Sequence, residues 1–244
     1  MNPVQKIQYI ALVPAAGVGA RVGGNCPKQY LPVCGQPLLK HTLKTLLAHP
    51  AINHVALILS PDDAYFQPED YADLGDFMVL RVGGATRTLS VTAGLKALSD
   101  KLTLADGDAI LVHDAARPCL SNAALSRLID TLRPNFAAYP QPNAGGLLAL
   151  PVPDTLKLGN ASQLVRHTQS RDHLYLAQTP QLFPYAVLLQ ALIQNQHNPN
   201  ITDESSAIET LGYAPRLIEG ESRNFKVTYP SDLWLAELIL SQPS

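Results

Sequence analysis

Residues 9–30 read YIALVPAAGVGARVGGNCPKQY. An unbroken apolar run ends at Val13, and a segment with Gly17, Gly19, Gly23 and Gly24 follows it directly. A buried strand that opens into a glycine-rich loop is the entry to an α/β sheet, and such loops bring backbone N–H groups up to an anion. Arg21 and Lys28 add two positive charges to the same segment. The spacing fits neither standard phosphate loop. A dinucleotide fingerprint needs G-x-G-x-x-G, but Val22 stands at the third glycine position, and no acidic residue follows about twenty residues on. A Walker loop needs Lys-Ser/Thr after its last glycine, and Asn25-Cys26 stand there instead.

Working outward, strand-length apolar runs recur at residues 7–13, 55–60, 78–82, 109–113 and 147–152. They are nearly continuous rather than alternating, which predicts strands buried on both faces. Helical patterns lie between them. In residues 37–48 a proline opens the pattern, and Leu38, Leu39, Leu43, Leu46 and Leu47 mark one face. Residues 90–98 and 121–132 repeat the logic, the latter with Ser121 as its cap. The fold class expected is α/β, with a mostly parallel sheet flanked by helices and ligands gathering at the carboxyl ends of the strands.

The rhythm breaks after Pro151. DTLKL and QLVRH flank a GNAS turn, predicting a β-hairpin with Gly159-Asn160 in the turn. Such a hairpin is too small to fold alone, so it packs on its own domain or pairs with another subunit. Residues 137–146 (AAYPQPNAGG) read as a loop.

Composition narrows the function classes. The chain has 244 residues, 46% hydrophobic and 16% charged, with a net charge of −2, which suits one globular domain and argues against bulk nucleic-acid binding. The cysteines, Cys26, Cys34 and Cys119, are odd in number and lack a CxxC pair, so neither a disulfide framework nor a zinc site is expected. No apolar run reaches membrane-span length, and the location expected is the cytoplasm.

Further segments carry chemistry. GGATRTLSV (83–91) permits close backbone approach at Gly84 and Ala85 and offers Ser90 to a base edge; its plainer reading is a strand–helix turn with a serine cap. VHDAARP (112–118) sets Asp114 at the end of a buried strand, where it could meet a ligand or Mg²⁺, or simply pair with Arg117. His113 reads as structural. TDESSAIE (202–209) reads first as a helix start capped by Thr202 or Asp203. Lys226 in NFKVTYPSDL (224–233) is expected on a short edge strand.

Together with PVPDTLK (151–157), HTQSRDHLY (167–175) and QTPQLF (178–183), these segments resemble, in order, the motifs of the 2-C-methyl-D-erythritol 4-phosphate cytidylyltransferase family. The resemblance covers nearly the whole chain. It implies a nucleotidyltransferase-type Rossmann-like fold: one domain over residues 1–244, with residues 152–173 as a projecting dimerisation arm. It implies transfer of CMP from CTP to the polyol phosphate with release of pyrophosphate, aided by Mg²⁺ with Asp114 as its ligand. The site residues it implies are Arg21, Lys28 and Lys226 for catalysis. Pro14, Ala15, Ala16, Gly17, Gly19, Gly84, Ala85, Ser90, Asp114 and Ala115 would hold the nucleotide. Arg117, Asp154, Thr155, Arg171, Thr179 and Thr202 would hold the acceptor, the arm residues across a homodimer interface with arms exchanged. A ribitol-5-phosphate cytidylyltransferase is the alternative with the same loop, and a nucleotide-sensing domain or an NAD-dependent oxidoreductase are more distant ones.

Overall fold

The computed structural model describes residues 7–17, 26–137 and 145–242. Strands β1 (Tyr9–Pro14), β2 (Pro32–Val33) and β3 (Gln36–Pro37) lead into helix α1 (Leu38–Ala48). Then come β4 (His54–Ile58), β5 (Met78–Leu80), α2 (Arg87–Ser99), β6 (Ala109–Val112), α3 (Asn122–Ala137) and β7 (Gly146–Pro151). The remainder comprises β8 (Leu156–Gly159), β9 (Val165–Gln169), β10 (Tyr175–Pro184), α4 (Tyr185–Gln194), α5 (Glu204–Glu209), β11 (Arg216–Glu219) and α6 (Pro230–Leu240).

Among the described residues, seven strands form one sheet in the order β11-β7-β10-β6-β1-β4-β5. All pairings are parallel except those of β10, which runs against both β6 and β7. The two-residue periodicity of a strand explains how continuous apolar runs serve two cores. In β1, Tyr9, Ala11 and Val13 face Leu39, Leu43 and Leu125 of α1 and α3. Ile10 and Leu12 face Val91, Leu95 and Leu188 of α2 and α4. β4 and β6 alternate in the same way, so the central sheet is covered on both faces as the uninterrupted hydrophobicity predicts.

Three local expectations are corrected. Helix α3 does begin after Ser121, whose hydroxyl accepts the Ala124 N–H at 3.0 Å, but it runs on past Leu132. Its last turn is anchored by buried Phe136, which meets the Tyr9 ring edge-on with centroids 6.2 Å apart. In the hairpin, Gly159 closes β8 rather than forming the turn. The turn is built by Asn160, whose side-chain oxygen accepts the N–H groups of Ser162 and Leu164 at 3.0 and 2.9 Å, with Gln163 at φ 61°. An Asx side chain can organise a turn without glycine. Lys226 lies on no strand: the neighbouring Val227 N–H bonds Ala116 O at 2.8 Å, and the Thr228 and Tyr229 N–H groups both bond Asp232 Oδ2 at 2.8 Å. The backbone there is consumed by a loop and by the start of α6.

Among the described residues the hairpin β8–β9 pairs only with itself, and its side chains are almost all exposed. No helix among the described residues is long and apolar enough to cross a membrane.

Candidate active site

The parallel strands β1, β4, β5 and β6 deliver their carboxyl ends to one edge of the sheet, where a cavity of about 830 Å³ opens. Pro14, Ala15, Ala16 and Gly17 line it from the end of β1 and beyond, Gly84 and Ala85 from the loop after β5, Ser90 from the first turn of α2, and Asp114 and Ala115 from just past β6, with Lys28 and Lys226 at its wall. Main-chain bonds hold these loops in place: Ala15 N–H reaches Ile58 O and Gly83 N–H reaches Leu59 O, both at 2.8 Å. Gly83 is required by this crowding. A Cβ there would stand 2.2 Å from Ala16 Cβ and 2.8 Å from Leu59 O. Ser90 is no cap. Thr86 caps α2 by accepting the Leu89 N–H at 3.1 Å, while Ser90 Oγ accepts the Gly84 N–H at 3.0 Å and donates to Thr86 O at 2.9 Å. In this structure Ser90 therefore shapes the glycine turn.

Lys28 starts a 3-10 turn (Lys28–Tyr30), and its ammonium donates to Val227 O at 2.9 Å, beside Lys226. Next to it, buried Gln29 donates to Ala15 O at 2.8 Å and Gly17 O at 3.2 Å, stapling the start of the glycine segment. Gln29 was not among the residues singled out from sequence, although it lies inside the CPKQY signature. Gly19 and Arg21 lie outside the described residues.

Asp114 is the electrostatic centre. Its Oδ1 meets Arg87 Nε at 3.1 Å, and its Oδ2 meets Lys226 Nζ at 2.8 Å and Arg117 Nε at 3.7 Å. Burial by itself would raise its pKa, but Arg87, Lys226 and Arg117 outweigh burial and hold the carboxyl well below the ordinary range. The expected Asp114–Arg117 pair is thus present within a larger cluster. Arg87 also donates through Nη1 to Glu204 Oε1 at 2.5 Å. Burial lowers the Arg87 pKa, but the carboxylates of Glu204 and Asp114 reverse that and hold it above its usual value. Sequence reading passed over both Arg87 and Glu204. The signal available was a charged residue directly after a glycine turn and another in a cap motif, and each also reads as a solvated side chain.

Behind Asp114, fully buried His113 bridges two strands' ends. Its Nε2 faces Arg117 O at 3.2 Å, so that nitrogen carries the proton, and Nδ1 accepts from Thr179 Oγ at 2.9 Å. The same Thr179 oxygen accepts the Asp114 N–H at 3.0 Å. Burial pushes the His113 pKa down to about 4.

A second cavity of about 220 Å³ shares Arg87, Asp114 and Lys226 with the first and adds Arg117, Thr179 and Thr202. A third, of about 410 Å³ at the root of the hairpin, shares Arg117 and Lys226. Arg117 is fixed by donation from Nη1 to Asn224 O at 2.7 Å. Asp203 caps α5 by accepting the Ser206 N–H at 2.9 Å; Thr202 stands just before it. Asp154, Thr155 and Arg171 are exposed on the hairpin and line none of the three cavities, and Arg171 donates to Pro153 O.

Among the described residues no three His, Cys, Asp or Glu side chains cluster as a metal cage. Asp114 nevertheless fits magnesium in its usual phosphate-assisted mode, in which one or two carboxylates suffice and substrate oxygens complete the shell. Such a site would have to draw the carboxylate from Lys226.

The architecture agrees with the comparisons. The family model described as "IspD: 2-C-methyl-D-erythritol 4-phosphate cytidylyltransferase" matches residues 9–242. A protein of that description from Chromobacterium violaceum is 51% identical over 233 residues, covering 95% of this chain and 97% of its own. One from Dechloromonas aromatica is 48% identical over 234 residues, covering 96% and 97%. Among solved structures, a 4-diphosphocytidyl-2C-methyl-D-erythritol synthase superposes with a TM-score of 0.81 at 37% identity, over 97% of this chain and 100% of its own. The cytidylyltransferase from Thermus thermophilus gives 0.74 at 32% identity, over 96% and 98%.

Proposed function

Because the chain belongs to the 2-C-methyl-D-erythritol 4-phosphate cytidylyltransferase family, we propose that its three joined cavities are where a CMP unit passes from CTP to that polyol phosphate. The ribitol-phosphate alternative is not favoured, since each relative compared carries the methylerythritol name.

The acceptor's phosphate oxygen attacks the α-phosphorus of CTP; a P–O bond forms as the bond to the β-phosphate oxygen breaks, and pyrophosphate leaves. The nucleophile is already anionic near neutral pH. The barrier lies in bringing anions together, so positioning and charge neutralisation carry the catalysis. Lys28, Lys226 and Arg21 are the cations assigned to that work. Pro14 to Gly17 and Gly19 would wrap the triphosphate, and Gly84, Ala85 and Ser90 would meet the base. Arg117, Thr179 and Thr202 would hold the acceptor. The observation that carries this reading is the shared wall: Lys226 lines all three cavities, and Asp114 lines the two that would hold the nucleotide and the acceptor. Magnesium, held by Asp114 and the phosphates, would supply further neutralisation of the triphosphate.

We also propose a homodimer with exchanged arms. The hairpin exposes neighbouring Leu164 and Val165 to 65% and 63%, apolar surface that a second copy of the chain would cover. Asp154, Thr155 and Arg171, which line none of their own chain's three cavities, would reach those of the partner. The free cysteines Cys26, Cys34 and Cys119 suit a cytoplasmic location.

Pyrophosphate release tests the acceptor assignment. CTP with methylerythritol phosphate should turn over far faster than CTP with ribitol phosphate or other nucleotides with methylerythritol phosphate; equal rates with the two polyols would overturn it. Mixing inactive Arg171→Ala and Lys28→Ala subunits tests the shared site. Partial recovery of activity is expected, and none in verified mixed dimers would refute it.

A further inference from the structure

We propose that Arg87 and Glu204 form a positioning pair that aims the Asp114 carboxylate and ties the nucleotide cavity to the acceptor cavity. The proposal rests on Asp114 belonging to the active site, as read above.

Arg87 opens α2 and Glu204 opens α5, 117 residues apart in sequence, yet the guanidinium spans both carboxylates. Its Nε holds Asp114 Oδ1 while its Nη1 holds Glu204 Oε1. Taking Oδ1 leaves Oδ2 as the oxygen turned to Lys226 and Arg117. Arg87 lines both cavities, and Glu204 stands behind it, 1% exposed.

Stability is a poor explanation for this arrangement. A buried ion pair rarely outperforms apolar side chains of the same volume, because both charges are stripped of water. Here the pairing is also incomplete: Arg87 Nη2 and Glu204 Oε2 are buried without a protein hydrogen-bond partner. What the pair does supply is direction, since a planar guanidinium held at two corners cannot swing into the 830 Å³ cavity or rotate Asp114.

The far end of the pair is fixed with equal care. Gln181 on β10 donates to Asp203 Oδ2 at 2.8 Å and accepts the Ser205 N–H at 2.8 Å, gripping α5 on both sides of Glu204. Two residues earlier on β10, Thr179 accepts the Asp114 N–H. The contacts therefore close a ring: Asp114, Arg87, Glu204, the start of α5, Gln181, Thr179 and back to Asp114. Asp114 is held by its side chain and by its backbone from the same strand, and this ring runs along the wall of the acceptor cavity.

Single-turnover rate, acceptor KM and CTP affinity, measured for Glu204→Gln, Arg87→Met and the double variant, test the proposal. Each single change should slow transfer by about tenfold or more and raise the acceptor KM, with CTP affinity changed less than about threefold. The double variant should be no slower than Arg87→Met, because Glu204 acts only through Arg87. If Glu204→Gln does not fold, Arg87→Lys, which keeps the charge and loses the fork, should show the same slowing. Multiplying effects, or variants that lose thermal stability but keep wild-type kinetics per folded molecule, would overturn the proposal. Asp114→Asn serves as the control. Its full activity would remove the underlying site assignment, whereas its inactivity beside wild-type kinetics in Glu204→Gln and Arg87→Met would remove only the positioning pair.

Discussion

His113 shows how much of the site depends on a group fully buried behind it. Its Nε2 faces the Arg117 carbonyl and its Nδ1 the Thr179 hydroxyl, contacts that the neutral ring satisfies in full with the proton on Nε2. Burial, with a lesser push from the Arg117 charge, lowers its pKa from the usual 6.5 to about 4 against a neighbouring Asp114 that favours the proton. Above pH 6.5 both folded and unfolded chains hold this histidine neutral. As pH falls from 6.5 to 4 the unfolded chain takes up the proton and the folded one does not, so stability is lost by up to about 3 kcal/mol. Urea unfolding at pH 7, 6, 5 and 4 should show this slope in the wild type and a flatter one in His113→Gln; parallel curves would contradict it. At this scale the sequence was legible where chemistry sits inside a compact motif. Asp114, Lys28 and Lys226 were singled out from their own segments, and the structure brings them to one cavity. Arg87 and Glu204 escaped because their roles come from a contact between segments 117 residues apart that no spacing records, and Gln29 because it bonds main-chain carbonyls, which residue identity does not mark.

The elements that shape the nucleotide cavity are loops pressed against one another. Gly83 is the tightest point, with the loop after β1 on one side and the end of β4 on the other. Gly83→Ala should destabilise the fold by about 1–3 kcal/mol and raise the KM for CTP several-fold, since the two loops must part to admit a methyl group. Thermal midpoints and initial rates check this; an unchanged midpoint would show that the loops give way freely. The buried strands β1, β4, β5, β6 and β7 were readable as continuous apolar runs, and the hairpin as alternation around a turn. Strand β10 and its antiparallel course were not. Gln178, Thr179, Pro180 and Gln181 interrupt its apolar residues, so no continuous run marks it, and its direction is set by the hairpin that returns the chain beside β7. The hairpin turn was placed correctly at Asn160 but one residue too early at Gly159, which closes β8, because the asparagine side chain makes the bend without help from glycine.

Across the whole molecule, the sheet's carboxyl edge gathers three cavities around Asp114, Arg117 and Lys226, and the arm extends residues that its own chain leaves exposed. A transfer between two anions calls for pockets that meet at fixed positive charge, and these three share cationic lining residues. Lys226 is the cation common to all three cavities. The central claim is that transfer occurs at this junction by positioning and charge neutralisation. The most direct measurement is the single-turnover rate of CMP transfer from CTP to methylerythritol phosphate in Lys226→Ala, alongside its CTP affinity and folded fraction. A fall of about 10²–10³ in rate with the fold intact and CTP affinity little changed is predicted. A rate within a few-fold of wild type would place the chemistry elsewhere.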